Sequence, residues 1–231
     1  MRILVVAADR MEFPGILAHA AETRRAALEV RWARSAWLSG HEMLLAANGA
    51  GASRAAAAVD RALETFAADA VVSTGFCGAL RPELGVADLV VADWVAAGER
   101  GFRAWPVSGA AVWHTGMVAS VDHVVQTAEE KVRLADSGAS AVEMEAAGVA
   151  ERAVAHGLPF SCVKAVTDLG DETLANDFNK ALREDGYFDT IVLLRGTLGQ
   201  PLVRVRELFR LRKRCVRAAR MLGDFFADLR F

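Results

Sequence analysis

The segment "SAVEMEAAGVAERAVAHGLPFSCVKAVTDLG", Ser140 to Gly170, sets Glu143, Glu145 and Asp168 in or at the end of almost wholly apolar runs. Carboxylates are costly to remove from water, so acids in such surroundings are candidates for shifted pKa values, proton transfer and stabilisation of positive charge. Structural roles compete with that chemistry. Glu145 precedes "AAGVAERA" and suits the positive end of a helix, while Asp168 before "LGDE" suits an N-cap or a turn. Upstream, "STGFCGAL" puts Ser73, Thr74, Gly75 and Phe76 directly after an apolar run. Small residues there let a backbone approach a ligand, and an ordinary turn uses the same residues.

Other chemistries are less well served. "NGAGASRAAAA" begins like a dinucleotide fingerprint, but Arg54 stands where the third glycine belongs and no acidic strand end follows, which rules against a nicotinamide site. Cys77 has no histidine nearby in sequence and apolar neighbours, so it reads as a core thiol rather than a nucleophile. His19, His41, His114, His123 and His156 contain no pair at metal-ligand spacing, and no metal is expected.

Positioning these residues requires a sheet. "RILVVAA" is a continuous β-prone apolar run of the kind buried on both faces. Further strands are read near Glu42–Asn48, Ala70–Thr74, Leu89–Val95, Val112–Val118, Ala139–Glu143 and Phe160–Thr167. Alanine-rich stretches predict helices over Phe13–Glu22, Ser53–Ala67, Asp122–Ala135 and Ala146–His156, and Trp94–Pro106 reads as a long loop or irregular hairpin. Strands alternating with helices argue for an α/β fold with its ligand site at the carboxyl ends of the strands.

With 231 residues, 53% of them hydrophobic, the chain can bury one large core, and a formal charge of -2 gives its body no reason to seek nucleic acid. Three cysteines that cannot all pair, and an N-terminal apolar run too short for a signal core, lead to the expectation of a cytoplasmic protein. Residues 201–231 differ from the body at 1–200. Between Arg204 and Arg230 stand nine basic residues against Glu207, Asp224 and Asp228, with apolar residues at helical spacing. This amphipathic helix either docks on the core or contacts a membrane surface, and the composition suits both.

Taken in order, "RILVVAADRMEF", "NGAG", "STGFCGAL", "ADLVVAD", "SVDHVV", "AVEMEAAGVA" and "PFSCVKAVTDLGDE" resemble the nucleoside phosphorylase superfamily, from Met1 to about Leu182. The likeness is strongest to the branch of methylthioadenosine/S-adenosylhomocysteine nucleosidases and futalosine hydrolases. The superfamily that the chain resembles includes the hopanoid-associated phosphorylases, which act on lipid-linked nucleosides, and a basic amphipathic tail would suit such a membrane-borne substrate. The resemblance implies a three-layer αβα sandwich with a mixed, largely parallel sheet, working as a homo-oligomer on a small purine nucleoside. It implies cleavage of the N-glycosidic bond without an organic cofactor, by water or with phosphate as co-substrate. The substrate would be a 5′-substituted adenosine, thio- or lipid-linked.

Carried over residue by residue, Glu145 would bind the ribose hydroxyls and oppose the oxocarbenium charge, Met144 would pack under the sugar, and Asp168 would give a proton to the base. Glu12 falls where the nucleosidases keep the acid that orients and deprotonates water, with Arg10 as the residue that favours phosphate. Ser73, Thr74, Gly75, Phe76, Val124, Val125 and Thr167 would line the substrate. Phe76 replaces a serine of the pattern, Lys164 an arginine beside the nucleophile, and Val124 an aromatic that stacks on the base. A non-catalytic nucleoside-binding or storage protein of the same fold is the alternative.

Overall fold

The computed structural model describes residues 1–231. Strand β1 (Arg2–Ala7) is buried from Ile3 onward, as its unbroken apolar sequence requires, and pairs in parallel with β4 (His41–Ala47) on one side and β5 (Ala70–Ala79) on the other. Beyond β5 the sheet closes on itself. β5 pairs with β10 (Phe160–Asp168), β10 with β6 (Leu89–Ala97), β6 with β8 (Trp113–Ser120), β8 with β9 (Ala141–Glu143), and β9 returns to β5.

The ten ladders divide evenly between parallel and antiparallel. Two hairpins account for much of the antiparallel share. Ser39 and Gly40, both with positive φ (55° and 75°), form a tight turn between β3 (Trp32–Leu38) and β4, a geometry matched to strand twist. The polar alternation of β3 conceals it in the sequence. The helix expected over Phe13–Glu22 is confined to α1 at Pro14–His19, and Glu22 instead opens the outer strand β2 (Glu22–Arg25). The stretch from Trp94 becomes the end of β6 and strand β7 (Arg100–Arg103), a hairpin rather than a loop.

Helices α2 (Ala52–Leu63) and α4 (Ala146–Ala155) cover one face of the sheet, and α1 with α7 (Pro201–Phe226) the other. The helix expected over Asp122–Ala135 begins later. α3 spans Ala128–Ala135 with Thr127 as its cap, because Val124 is held outside the helix by two hydrogen bonds with the Asn179 side chain, each 2.8 Å. Short helices α5 (Phe178–Ala181) and α6 (Thr190–Thr197) lead into α7.

From Ala218 onward α7 packs on the core through Ala218, Ala219, Leu222, Phe225 and Phe226, whereas before that point it leaves Leu202, Phe209 and Val216 exposed. No helix is long and apolar enough to cross a membrane. The α1–α7 crossing depends on missing side chains. A Cβ on Gly223 would lie 2.3 Å from the backbone of Gly15, and one on Gly15 would lie 1.9 Å from the Ala219 carbonyl.

Gly223→Leu sets a helix-propensity gain of about 0.8–1 kcal/mol against overpacking on immovable backbone, which costs about 1–3 kcal/mol or more. The clash wins, and thermal unfolding should fall by several degrees. Gly196→Ala in α6, whose Cβ would meet nothing nearer than 3.9 Å, should leave the midpoint unchanged or raise it slightly.

Candidate active site

At the carboxyl ends of β1, β5, β9 and β10 lies a cavity of 390 Å³ that Glu12, Glu145 and Asp168 all line, together with Phe76, Met144 and Thr167. That size suits a nucleoside-scale ligand. Glu12 reaches it from a single 3-10 turn, Arg10–Glu12, that follows β1. Asp9 caps this turn by accepting from Met11 N–H, while Glu12 Oε2 accepts in return from Asp9 N–H at 2.8 Å. Its Oε1 accepts from Phe76 N–H at 2.7 Å. Gly75 makes this approach possible, since it sits at φ +122° and a Cβ there would be 2.3 Å from Oε1. Burial raises the Glu12 pKa, opposed by the two backbone donors and by the charge of Lys164.

The paired acids of "VEMEA" have separate roles. Glu143, at the end of β9, accepts from the N–H groups of Glu145 and Ala146 at 2.8–3.0 Å, so it serves the N-terminus of α4. It also pairs with Lys164 Nζ at 2.8 Å. Glu145 faces the cavity, with Oε1 accepting from Gly51 N–H at 3.0 Å and Oε2 3.9 Å from Lys164. Burial, and next the charge of Glu143, push Glu145 well above the usual carboxylate range, against the pull of Lys164. Lys164 is wholly buried and donates to the Thr74 carbonyl at 2.9 Å. Burial acts most strongly and would lower its pKa, but the charge and hydrogen bond of Glu143 together with the charges of Cys162 and Glu145 outweigh burial and raise it, so the ammonium stays protonated.

Asp168 ends β10. Its Oδ1 accepts from the Thr167 hydroxyl at 3.1 Å, and its Oδ2 meets Lys131 Nζ at 2.6 Å. Lys131, wholly buried on α3, donates also to the Leu169 carbonyl at 2.6 Å. Sequence reasoning missed this lysine, whose sole signal is a charge on the inward side of a helix. The loop after Asp168 is strapped by α7. Glu172 accepts from Leu169 N–H at 3.0 Å and from Arg214 at 2.6 and 2.9 Å. Although burial acts to raise it, Arg214 and the Leu169 N–H hold Glu172 down at about 2. Buried Glu207 accepts from the N–H groups of Ala175 and Asn176.

Val124 and Val125 line the cavity, but Ser73 and Thr74 do not: both are fully buried within the sheet, and their hydroxyls have no partner. Continuation of β5 through Ala79 explains the difference, because what reads as a loop is strand. Gly75 acts through Glu12, and Lys164 lies beneath the acids. Arg10 lines a neighbouring cavity with Arg31, Arg183 and Asp185, and the latter two arginines are already paired with Asp185 at 3.1 and 2.9 Å. Cys77 lines the main cavity, but burial raises its thiol pKa far above the ordinary value.

Three further lining residues were not anticipated: His123, Tyr187 and Phe188. His123 bridges Asp122 (2.8 Å) and Glu130 (2.6 Å), which raise its pKa. Tyr187 and Phe188 supply aromatic surface at a site whose Val124 supplies none, and Phe188 is braced edge-on by Phe178. Adjacent aromatics in a polar stretch, one of them the sole tyrosine of the chain, were the available signal.

A buried, glutamate-lined cavity at the strand ends of a partly closed α/β sheet is the architecture of a known group of proteins. The chain belongs to the phosphorylase superfamily, whose family model matches residues 2–109 and 106–186. Among its relatives is the 5′-methylthioadenosine/S-adenosylhomocysteine nucleosidase of Staphylococcus saprophyticus, 28% identical over 159 residues, 56% of this chain and 70% of the relative. That of Geobacillus thermodenitrificans is 29% identical over 175 residues, 63% of this chain and 74% of the relative. The fold is shared with the Neisseria meningitidis nucleosidase in complex with methylthio-immucillin-A (TM-score 0.72, 21% identity, 98% of each chain). It is shared too with Helicobacter pylori futalosine hydrolase (TM-score 0.70, 19% identity, 97% of this chain and 96% of the other).

Glu145 binds its proton more tightly in the folded chain than in the unfolded one, so its contribution to stability declines as pH rises from the ordinary glutamate range toward its raised folded value. Glu12 acts in the same direction. Glu145→Gln should therefore flatten the fall in unfolding temperature between about pH 5 and pH 8. Calorimetry across that range checks it, and parallel curves for variant and parent would contradict the assignment.

Proposed function

We propose that this chain is a hydrolase that cleaves the N-glycosidic bond of a purine nucleoside with water as nucleophile. The observation that carries the reading is Glu12, a buried carboxylate whose two oxygens are each fixed by a backbone N–H while the group faces the cavity. A phosphate dianion brought beside it would meet like charge at low dielectric, at a cost of several kcal/mol by order of magnitude. A water molecule instead gains an acceptor for its proton.

In this reading the water oxygen attacks C1′ and its proton passes to Glu12. The C1′–N bond breaks with its electron pair leaving on the base, and Asp168 gives a proton to the base. The proton is drawn from the Lys131 ammonium, whose Nζ lies 2.6 Å from Asp168 Oδ2, so the pair ends as carboxylate and amine. Glu145 binds the ribose hydroxyls and opposes the positive charge that develops on the sugar, and Met144 packs beneath it. Tyr187 and Phe188 supply the aromatic contact to the substrate. The named relatives make 5′-methylthioadenosine the first substrate to test.

Incubation with 5′-methylthioadenosine, adenosine and inosine, with and without phosphate, followed by mass analysis of the sugar, should yield the free sugar at a phosphate-independent rate. A sugar phosphate would replace water by phosphate in the reaction, and tight binding without turnover would make the chain a nucleoside-binding protein.

Removing the acid at Asp168 should lower turnover about a hundredfold to ten-thousandfold. Asp168→Asn alone also leaves buried Lys131 unpaired, which costs about 3–5 kcal/mol. The informative variant is therefore Asp168→Asn combined with Lys131→Met. It should fold more stably than the single variant and remain as inactive, measured by thermal unfolding and kcat.

A further inference from the structure

The inner face of α7 is occupied by the core and by the loop after Asp168. Its outer face carries a pattern that the proposed reaction does not use. Leu202, Arg206, Phe209, Lys213, Val216 and Arg220 follow one another at intervals of three or four residues, so they form one stripe along the helix. All six are exposed. Apolar and cationic residues alternate along it, with Leu202 73%, Phe209 62% and Val216 65% exposed.

None of the three cations in the stripe is paired with a carboxylate, and the one acid in this part of the helix, Glu207, is turned inward onto Ala175 and Asn176. Just before α7, Leu194 of α6 and its capping residue Leu198 are exposed as well. The stripe from Leu202 to Arg220 is about 27 Å long at 1.5 Å per residue.

We propose that this stripe is a contact surface for an anionic lipid bilayer, with α7 lying in the plane of the headgroups. The charge pattern selects this occupant. A twofold contact between two copies would bring two sets of three unpaired cations into one interface with no carboxylate of the stripe to oppose them. Protein interfaces also bury a contiguous apolar centre, whereas here each apolar residue is separated from the next by a cation. A bilayer interface accepts both at once, since the apolar side chains enter the acyl boundary while arginine and lysine stay at the phosphates. The remainder of the chain cannot supply the attraction. The protein's formal charge is -2, while residues 201–231 hold nine basic residues against three acidic ones. The attraction is therefore local to this helix. The proposal is independent of the reaction assigned to the cavity.

The test is co-sedimentation of the full chain with vesicles of phosphatidylglycerol and phosphatidylcholine, or of phosphatidylcholine alone, at low and high salt. Binding should require the anionic lipid and weaken with salt. Arg206→Glu combined with Lys213→Glu should lower the partition coefficient at least about tenfold, and Phe209→Ser should lower the binding that survives at high salt. Both variants alter exposed side chains, so their unfolding temperatures and any turnover of soluble nucleosides should match the parent. If the intact chain ignores anionic vesicles, or the charge reversal leaves binding unchanged, the proposal fails. It fails equally if light scattering shows the reversal turning an oligomer into monomers while vesicles stay unbound, which would make the stripe a self-association surface.

Discussion

A single buried ammonium allows three carboxylates to share the floor of one cavity. Lys164 touches Glu143, stands 3.9 Å from Glu145 and acts through its charge on Glu12. Taking such a cation out of water costs several kcal/mol, and a pair of ions does not always recover that. Here the Thr74 carbonyl and Glu143 both accept from it. Its place is set by strand register. In the parallel ladder between β10 and β5, Lys164 lies opposite Gly75, the residue whose bare backbone admits Glu12. A slip of one residue would turn the ammonium to the other side of the sheet and leave the acids without a counter-charge.

The loop following Asp168 depends on a second set of charges, supplied by the C-terminal helix. Arg214 grips Glu172, and Glu207 takes the backbone N–H groups of Ala175 and Asn176. Leu174, between these anchors, lines the cavity. The helix that reads in sequence as an appendage thus forms part of the wall behind the site, and its two halves have different surroundings. From Ala218 onward it is core. Before that point its inner side braces a loop and its outer side meets solvent.

Much of this was legible in the sequence because the relevant physics is local. Runs such as Ile3–Ala7 and Leu89–Ala92 are apolar at every position, which only a doubly covered strand tolerates. The sites of Glu12, Glu145 and Asp168 follow from motif order, and all three line one cavity. What the sequence concealed depends on partners distant along the chain. Strand β3 mixes polar and apolar residues and is defined by its turn. Residues 122–127 look helical until Asn179 captures Val124. Gly75 to Ala79 look like a loop because nothing local reveals that β5 continues past Thr74 alongside β10, which leaves Ser73 and Thr74 inside the sheet. Lys131 resembles a surface lysine until α3 packs against the end of β10.

Closure of the sheet through β5, β10, β6, β8 and β9 leaves few strands with an unpaired side. Those at the margins are β2, with the sequence Glu-Thr-Arg-Arg, and β7, with Arg-Gly-Phe-Arg. Each is four residues long and carries two arginines. An open strand edge is a template on which another chain can add a strand, and short length with fixed charge is the physical obstacle to that addition. A protein this rich in β-prone apolar segments thereby keeps its most aggregation-competent sequences, such as Ile3–Ala7, hydrogen-bonded on both sides. Its exposure to misassembly is confined to the time before the ring of strands has closed.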